Sequence, residues 1–256
     1  MPERPAEGDR PATPGRPALV WELAEKGGRL TGTQTRGEEK WPLTGVRAPA
    51  LQRAAPAAWG PPEPLFNGKD LSNWHKRGSD EPAGWTVGDG YFEVKPGTGD
   101  ICTKETFGSF QLHVEFWLPL MADCQGQARA NSGVYIQGRY EVQVLDSHQN
   151  PTYYHGQAGA IYKQSPPLVN ASRPPGEWQS FDIIFRAPRR NAAGQVIKPA
   201  TITVLHNGIL VQDHFEILGN TRDRNPRYES HPDKLPLSLQ DHGNPVRYRN
   251  IWIREL

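Results

Sequence analysis

Cysteine and methionine are scarce, two of each in 256 residues. Cys102 and Cys124 stand in no CxxC or Cys/His spacing, which excludes a zinc-finger or thioredoxin-type motif. A disulfide between them and a pair of reduced thiols are both open at this level. An excess of one charge is also missing. With 29 basic and 28 acidic residues the net charge is +1, which argues against a nucleic acid or an anionic membrane as the main partner. No apolar run approaches the roughly 18 residues of a membrane helix. Near the start there is no run of about 7–15 apolar residues of the kind that marks a signal peptide, so export is not visible in the sequence. No stretch keeps a 3.6-residue apolar period beyond a turn or so, which leaves strands as the expected regular structure.

Turn formers are abundant, with 26 glycines and 25 prolines, and Trp, Tyr and Phe number eight each. The first 64 residues hold 11 of the 25 prolines, and their longest apolar stretch is "ALVW". Residues 1–62 therefore read as a Pro-rich extension, mostly disordered or draped, with one island, "PALVWELAEKGG", able to form a helical turn or two. From residue 63 to 256 the texture is that of a second domain. "GWTVGDGYFEVKPG" predicts a hairpin turning at Gly88-Asp89-Gly90. "FGSFQLHVEFWLPL" alternates apolar and polar positions, as do "SGVYIQGRYEVQVLDS", "EWQSFDIIFRAPR" and "RYRNIWIREL". "ATITVLHNGILVQDHFEI" predicts two strands joined by Asn207-Gly208, a pair suited to the positive φ angles of a type I′ turn. Many short strands with frequent turn signals predict an all-β fold, an antiparallel β-sandwich or jelly roll.

Three polar clusters interrupt this pattern. In "RYEVQVLDS", Tyr140, Val142 and Val144 form one face, and Arg139, Glu141 and Gln143 the other. Asp146 falls out of phase with Glu141, because i and i+5 lie on opposite faces of a flat strand. A β-bulge near Val144 or Leu145 would bring Asp146 round to join them; alternatively Asp146 simply ends the strand. Asn131, Tyr135, Gln137 and Arg139 precede these residues at mostly alternate positions. The second cluster, "SLQDHGNPVRYRN", crowds Gln240, Asp241, His242, Asn244, Arg247 and Arg249 beside a strand. A His near an Asp suits an acid/base group, although the same residues make an ordinary turn. The third, "YYHGQAGAIYKQSPP", places Tyr153, Tyr154, His155, Tyr162 and Lys163 in a Gly- and Pro-rich loop, a common location for sites.

Four stretches, "LFNGKDLSNW", "NSGVYIQGRYEVQVLDS", "PPGEWQSFDIIFRAPR" and "LQDHGNPVRYRNIWI", closely resemble the 3-keto-disaccharide hydrolase domain family over about three quarters of the chain. The resemblance implies a concanavalin- or laminin-G-like jelly roll with its site on the concave sheet. It implies a carbohydrate substrate, a glycoside oxidised to a ketone at C3, and a usually exported protein. In spacing, the Glu141 strand also resembles the Glu-x-Asp-x-x-Glu strand of laminarinase-type glycosidases, with Gln143 and Asp146 as departures. A retaining glycosidase needs a carboxylate nucleophile about 5 Å from its acid. On the implied chemistry, a base removes the C2 hydrogen, the enolate expels the C1 substituent, and water addition can follow. Glu141 or His242 is then the expected base. Lys163 and Arg247 are expected to stabilise the enolate oxygen, and Asp146, or whichever of Glu141 and His242 is not the base, to protonate the leaving group. Asn131, Tyr135, Arg139, Gln143, His155, Gln240 and Asp241 are the expected substrate contacts. A divalent metal held by Glu141, Asp146 and His242 is an alternative to the cationic donors. A lectin-like sugar-binding module and a laminarinase-like enzyme on unoxidised glucan are the rival functions.

Overall fold

The computed structural model describes residues 18–27, 29–46, 61–221 and 225–256. The chain divides into two compact units, Met1–Ala57 and Ala58–Leu256.

In the first unit, β1 (Leu19–Lys26), β2 (Arg29–Arg36) and β3 (Glu39–Val46) form an antiparallel meander. The helical turn expected around residues 17–28 is thus corrected to a strand. The reason is a period of two. Leu19, Trp21 and Leu23 alternate with Val20, Glu22 and Ala24, and cross-strand pairing places Trp21, Gln34 and Trp41 in one row. β-branched threonines alternate along β2, which suits a pleated surface. The rest of the expected draped extension, residues 1–17 and 47–60, lies outside the described residues.

The second unit carries β4 (Glu63–Pro64), β5 (Trp74–Lys76), β6 (Thr86–Val87), β7 (Phe92–Glu93), β8 (Ile101–Thr103), β9 (Phe110–Trp117), β10 (Ser132–Ile136), β11 (Tyr140–Val144), β12 (Trp178–Arg186), β13 (Arg189–Arg190), β14 (Val196–Lys198), β15 (Thr201–His206), β16 (Ile209–Glu216), β17 (Ser238–Leu239) and β18 (Arg247–Glu255). The small sheet runs β11-β10-β17-β8-β5. The large sheet runs β16-β15-β12-β9-β18-β7-β6, with β4 also on β18, and β13-β14 form a separate ribbon. Every strand pairing is antiparallel.

One hydrophobic core joins the inner faces of the two sheets, so the unit is an antiparallel sandwich. The large sheet supplies Phe110, Leu112, Val114, Phe116, Phe181, Ile183, Phe185 and Tyr248. The small sheet supplies Val134, Ile136, Tyr140, Val142, Val144 and Leu239. Each fully buried Leu, Ile or Phe contributes about 1.5–3 kcal/mol relative to its exposed state. The Asn207-Gly208 hairpin forms between β15 and β16, with φ of 53° and 79°. A bulge does occur in the sandwich, but on β18, where the register slips between Arg249 and Trp252 and Asn250 has φ 45°. It restores the phase, so that Tyr248, Ile251 and Ile253 all face the core. No bulge interrupts the β10-β11 ladder from Ser132↔Val144 to Ile136↔Tyr140.

Candidate active site

Residues paired across neighbouring strands share a face. On the side of the small sheet turned away from the core, the pairings His75↔Cys102, Cys102↔Ser238, Ser238↔Tyr135 and Tyr135↔Glu141 make one row across all five strands. Gly133 and Gln143 pair beside it on the same face, since strand residues two apart point alike.

The β11 end of this row is the floor of a cleft of about 380 Å3. The cleft is lined by Gln127, Asn131, Tyr135, Glu141, Gln143, Tyr162, Lys163, Gln240 and His242. Glu141 is only 3% exposed. Tyr135 Oη donates to Glu141 Oε2 at 2.8 Å, and Gln240 Nε2 donates to Tyr135 Oη at 3.3 Å. Gln143 Nε2 donates to Asn131 Oδ1 at 3.2 Å and to Gln127 Oε1 at 3.3 Å. The remaining amide oxygens, Gln143 Oε1 and Gln240 Oε1, are buried with no hydrogen-bond partner among the described residues. Buried polar atoms are normally satisfied, so these two oxygens leave hydrogen-bonding capacity unused in the side chains around the carboxylate. Gly133 makes the close approach feasible, because a Cβ there would lie 2.6 Å from Glu141 Oε1.

Two loops complete the walls. The 157–165 segment is tied to the β11 edge by Gly159 N→Gln143 O (2.9 Å), Gln143 N→Ala160 O (3.0 Å) and Tyr162 N→Glu141 O (3.1 Å). Lys163 then takes a left-handed φ of 60° and donates its N–H to His155 O at 3.0 Å. A non-glycine residue rarely holds that conformation without support from its surroundings. Its Nζ lies 5.2 Å from the centroid of the Tyr162 ring. Tyr153 and Tyr162 share a hydrogen bond of 2.7 Å. Burial first, then this bond, then the charges of Tyr162 and Glu141 raise the Tyr153 phenol above its ordinary value. On the opposite wall, Gln240 N bonds Gly133 O at 3.0 Å and Asn131 N bonds Asn244 Oδ1 at 2.7 Å. Asp241 accepts from Gly99 N and Gly243 N, both at 2.9 Å, and so shapes the turn that presents His242.

Seven of the twelve expected residues therefore line the cleft: Asn131, Tyr135, Glu141, Gln143, Lys163, Gln240 and His242. Five do not. Asp146 lies beyond the end of β11, fully buried, with Oδ2 2.8 Å from Arg129 Nε. That N–H does not aim at the carboxylate oxygen, so the contact is an ion pair rather than a hydrogen bond. The expected bulge is absent, and Asp146 faces Arg129 rather than Glu141. Arg247 belongs to the large sheet, where it pairs with Glu93 at 2.6 Å and stacks on Trp117 and Tyr91. Its neighbours in sequence reach the cleft, but β18 carries it to the other layer. Asp241 is held within its turn, and His155 is exposed on the loop behind Lys163. Arg139 faces an adjoining cavity of about 510 Å3 on the far side of Tyr135. The three-residue metal set is thereby broken, and no group of three or more His, Cys, Asp or Glu that could hold a metal ion occurs among the described residues. Gln127, on a 3-10 turn (Gly126–Ala128), has no local signal in the sequence. Tyr162 stood out only as one loop aromatic among several.

Both cysteines are free. Cys102 Sγ lies 3.3 Å from His75 Nε2, and burial raises its thiol above the usual range. No helix among the described residues is long and apolar enough to cross a membrane.

An all-β sandwich with a polar, amide-lined cleft on one outer face is an architecture found among lectins and carbohydrate-cleaving enzymes as well as among proteins of other functions. The chain belongs to the 3-keto-alpha-glucoside-1,2-lyase-like domain family, whose sequence profile matches residues 61–254. A 3-keto-disaccharide hydrolase of Bacteroides thetaiotaomicron is 25% identical over 232 residues, covering 75% of this chain and 77% of that protein. A crystal structure of a proposed glycosyl hydrolase from Parabacteroides distasonis is 39% identical, with a TM-score of 0.73 and full coverage of both chains. A second proposed glycosyl hydrolase from that organism, 22% identical with a TM-score of 0.57, covers 75% of this chain and 92% of its own and shares the fold.

Proposed function

We propose that the protein cleaves the glycosidic bond of 3-keto-glycosides by removing the C2 proton and eliminating the C1 substituent. The observation that supports this most is the placement of Glu141: a nearly buried carboxylate on the floor of an amide-lined cleft, in a chain of this family. A ketone at C3 acidifies the C2 hydrogen, and a fixed carboxylate is a suitable base at neutral pH. In this reading Glu141 takes the proton, because it lies on the floor, whereas His242 is on the exposed rim. Lys163, a rim cation, faces the developing enolate oxygen, where a positioned donor contributes about 10²–10³-fold. Asn131, Gln127, Gln143 and Gln240 hold the sugar hydroxyls. With Asp146 turned away, Tyr135, which is hydrogen-bonded to Glu141, and His242 are the candidates to protonate the leaving oxygen.

The test is incubation with nitrophenyl 3-keto-glucoside, following phenolate release. Release from the keto substrate and none above buffer from the plain glucoside is expected. Binding without release would make the protein a sugar-binding module. Equal or faster release from unoxidised glucosides or glucan would make it an ordinary glycosidase.

A further inference from the structure

The five-residue row on the small sheet is longer than the cleft needs. Its Tyr135–Glu141 end floors the cleft of about 380 Å3, while its His75–Cys102–Ser238 end floors the second cavity of about 510 Å3. Both volumes fall within the roughly 300–1,000 Å3 typical of small-molecule sites. Among the described residues, only Tyr135 lines both. Ser238, 1% exposed, lines the second cavity and has a buried hydroxyl with no hydrogen-bond partner among the described residues. Arg77, which lines the second cavity, has its guanidinium 5.4 Å from the Tyr135 ring centroid and is paired with Asp100 at 3.1 Å.

Building on the proposed elimination, we propose that the larger cavity is the subsite for the leaving group and that Tyr135 is the acid that protonates its oxygen. A glycoside bound across the row has its keto sugar over Glu141 and its C1 substituent beyond Tyr135. The glycosidic oxygen then lies beside the phenol. The proton count closes. Glu141 takes the C2 proton, and the C–H electrons become the enolate and then the C1=C2 double bond. The C1–O bond breaks with its electron pair on oxygen, and Tyr135 gives that oxygen its proton. The protonated Glu141 returns a proton to the phenolate along their 2.8 Å hydrogen bond. Meanwhile the Gln240 amide, 3.3 Å from Oη, steadies the phenolate. One proton has moved from C2 to the leaving oxygen, and the enzyme is unchanged.

The experiment compares nitrophenyl and methyl 3-keto-glucosides in the wild type, Tyr135→Phe and His242→Asn. Nitrophenolate leaves without a proton, whereas methoxide does not. Tyr135→Phe is expected to slow the methyl substrate by about 10²–10⁴-fold and the nitrophenyl substrate by no more than about a tenth of that factor. Equal losses on both substrates, or a leaving-group dependence carried by His242→Asn instead, would overturn the assignment. Leu235→Trp, at the partly exposed wall of the larger cavity, tests the subsite independently of the acid. It is expected to raise KM for a 3-keto-disaccharide about tenfold more than for the methyl glycoside, a difference of ~1.4 kcal/mol. Equal KM changes would remove the leaving group from that cavity. Wild-type release of nitrophenolate separates these outcomes from failure of the elimination itself.

Discussion

The outward faces of the two sheets carry the same kinds of residue in opposite states. On the large sheet, Arg247 pairs with Glu93 and Arg249 with Glu115, each at 2.6 Å, and Arg254 donates to Gln111 at 2.6 Å. Arg249 also lies 4.0 Å over Trp178. Cations and carboxylates there satisfy one another across neighbouring strands. On the small sheet, a carboxylate, a phenol and amides surround a cleft, and two amide oxygens have no hydrogen-bond partner among the described residues. Alternation along a strand therefore says which residues leave the core. Whether such a residue does chemistry depends on what the next strand places opposite it.

The two faces differ most at Glu141. Glu141→Gln keeps the shape of the side chain, and its expected effect is a loss of turnover on a 3-keto-glucoside of about 10²–10⁴-fold with an unchanged melting temperature. A change below about threefold would move the role of base to His242. Asp146 sharpens the contrast between two acids five residues apart. Removing one partner of a buried pair leaves an uncompensated charge. Asp146→Ala should thus cost about 3–5 kcal/mol in denaturant unfolding. In that background Arg129→Met should restore part of the loss; no recovery would mean that the pair is not what Asp146 provides.

Between the two faces, His206 is fully buried against Phe116 and Phe181, with Nε2 2.9 Å from Gln179 Oε1. Burial, with the nearby Arg173 charge, lowers its pKa to about 4. The unfolded chain takes up this proton at higher pH than the folded one. Stability is therefore fully present above the ordinary His value of about 6.5 and is lost as pH falls toward 4, by about 3 kcal/mol. His206→Gln should flatten that slope in unfolding curves between these pH values; an unaltered slope would assign it to other groups. The smallest effect is expected at Arg249→Met, which should cost about 1 kcal/mol or less and leave turnover within about twofold. A large loss of activity there would mean that the large-sheet face takes part in the reaction.

Much of this was legible in the sequence. The alternations of β9, β11, β12 and β18 and the Asn-Gly hairpin follow from residue types alone. So do Glu141 and Gln143 on one side of β11, opposite Tyr140, Val142 and Val144. Asp146 was misplaced because a change of phase has two causes, a bulge or a strand end, and both read alike. The bulge on β18, at Asn250, has a signal of its own: Tyr248, Ile251 and Ile253 are buried although they do not share one parity. Arg247 could not be placed because sequence proximity to Gln240 and His242 does not reveal the crossing from one sheet to the other. The period of two in β1 was present, but was masked by the surrounding prolines. Gln127 is held at the cleft by contacts with Asn131, Gln143, Thr152 and Gly156, which no local pattern encodes.

The central claim is that the bond to C2 hydrogen breaks in the cleft beside Glu141. It is tested most directly with a 3-keto-glucoside carrying deuterium at C2. The sugar product formed by the wild type is analysed by mass spectrometry against an enzyme-free exchange control. If elimination starts with loss of the C2 proton, the product has lost the label to solvent. Leaving-group release with the deuterium still on C2 would contradict it, because displacement at C1 would then proceed without touching that bond.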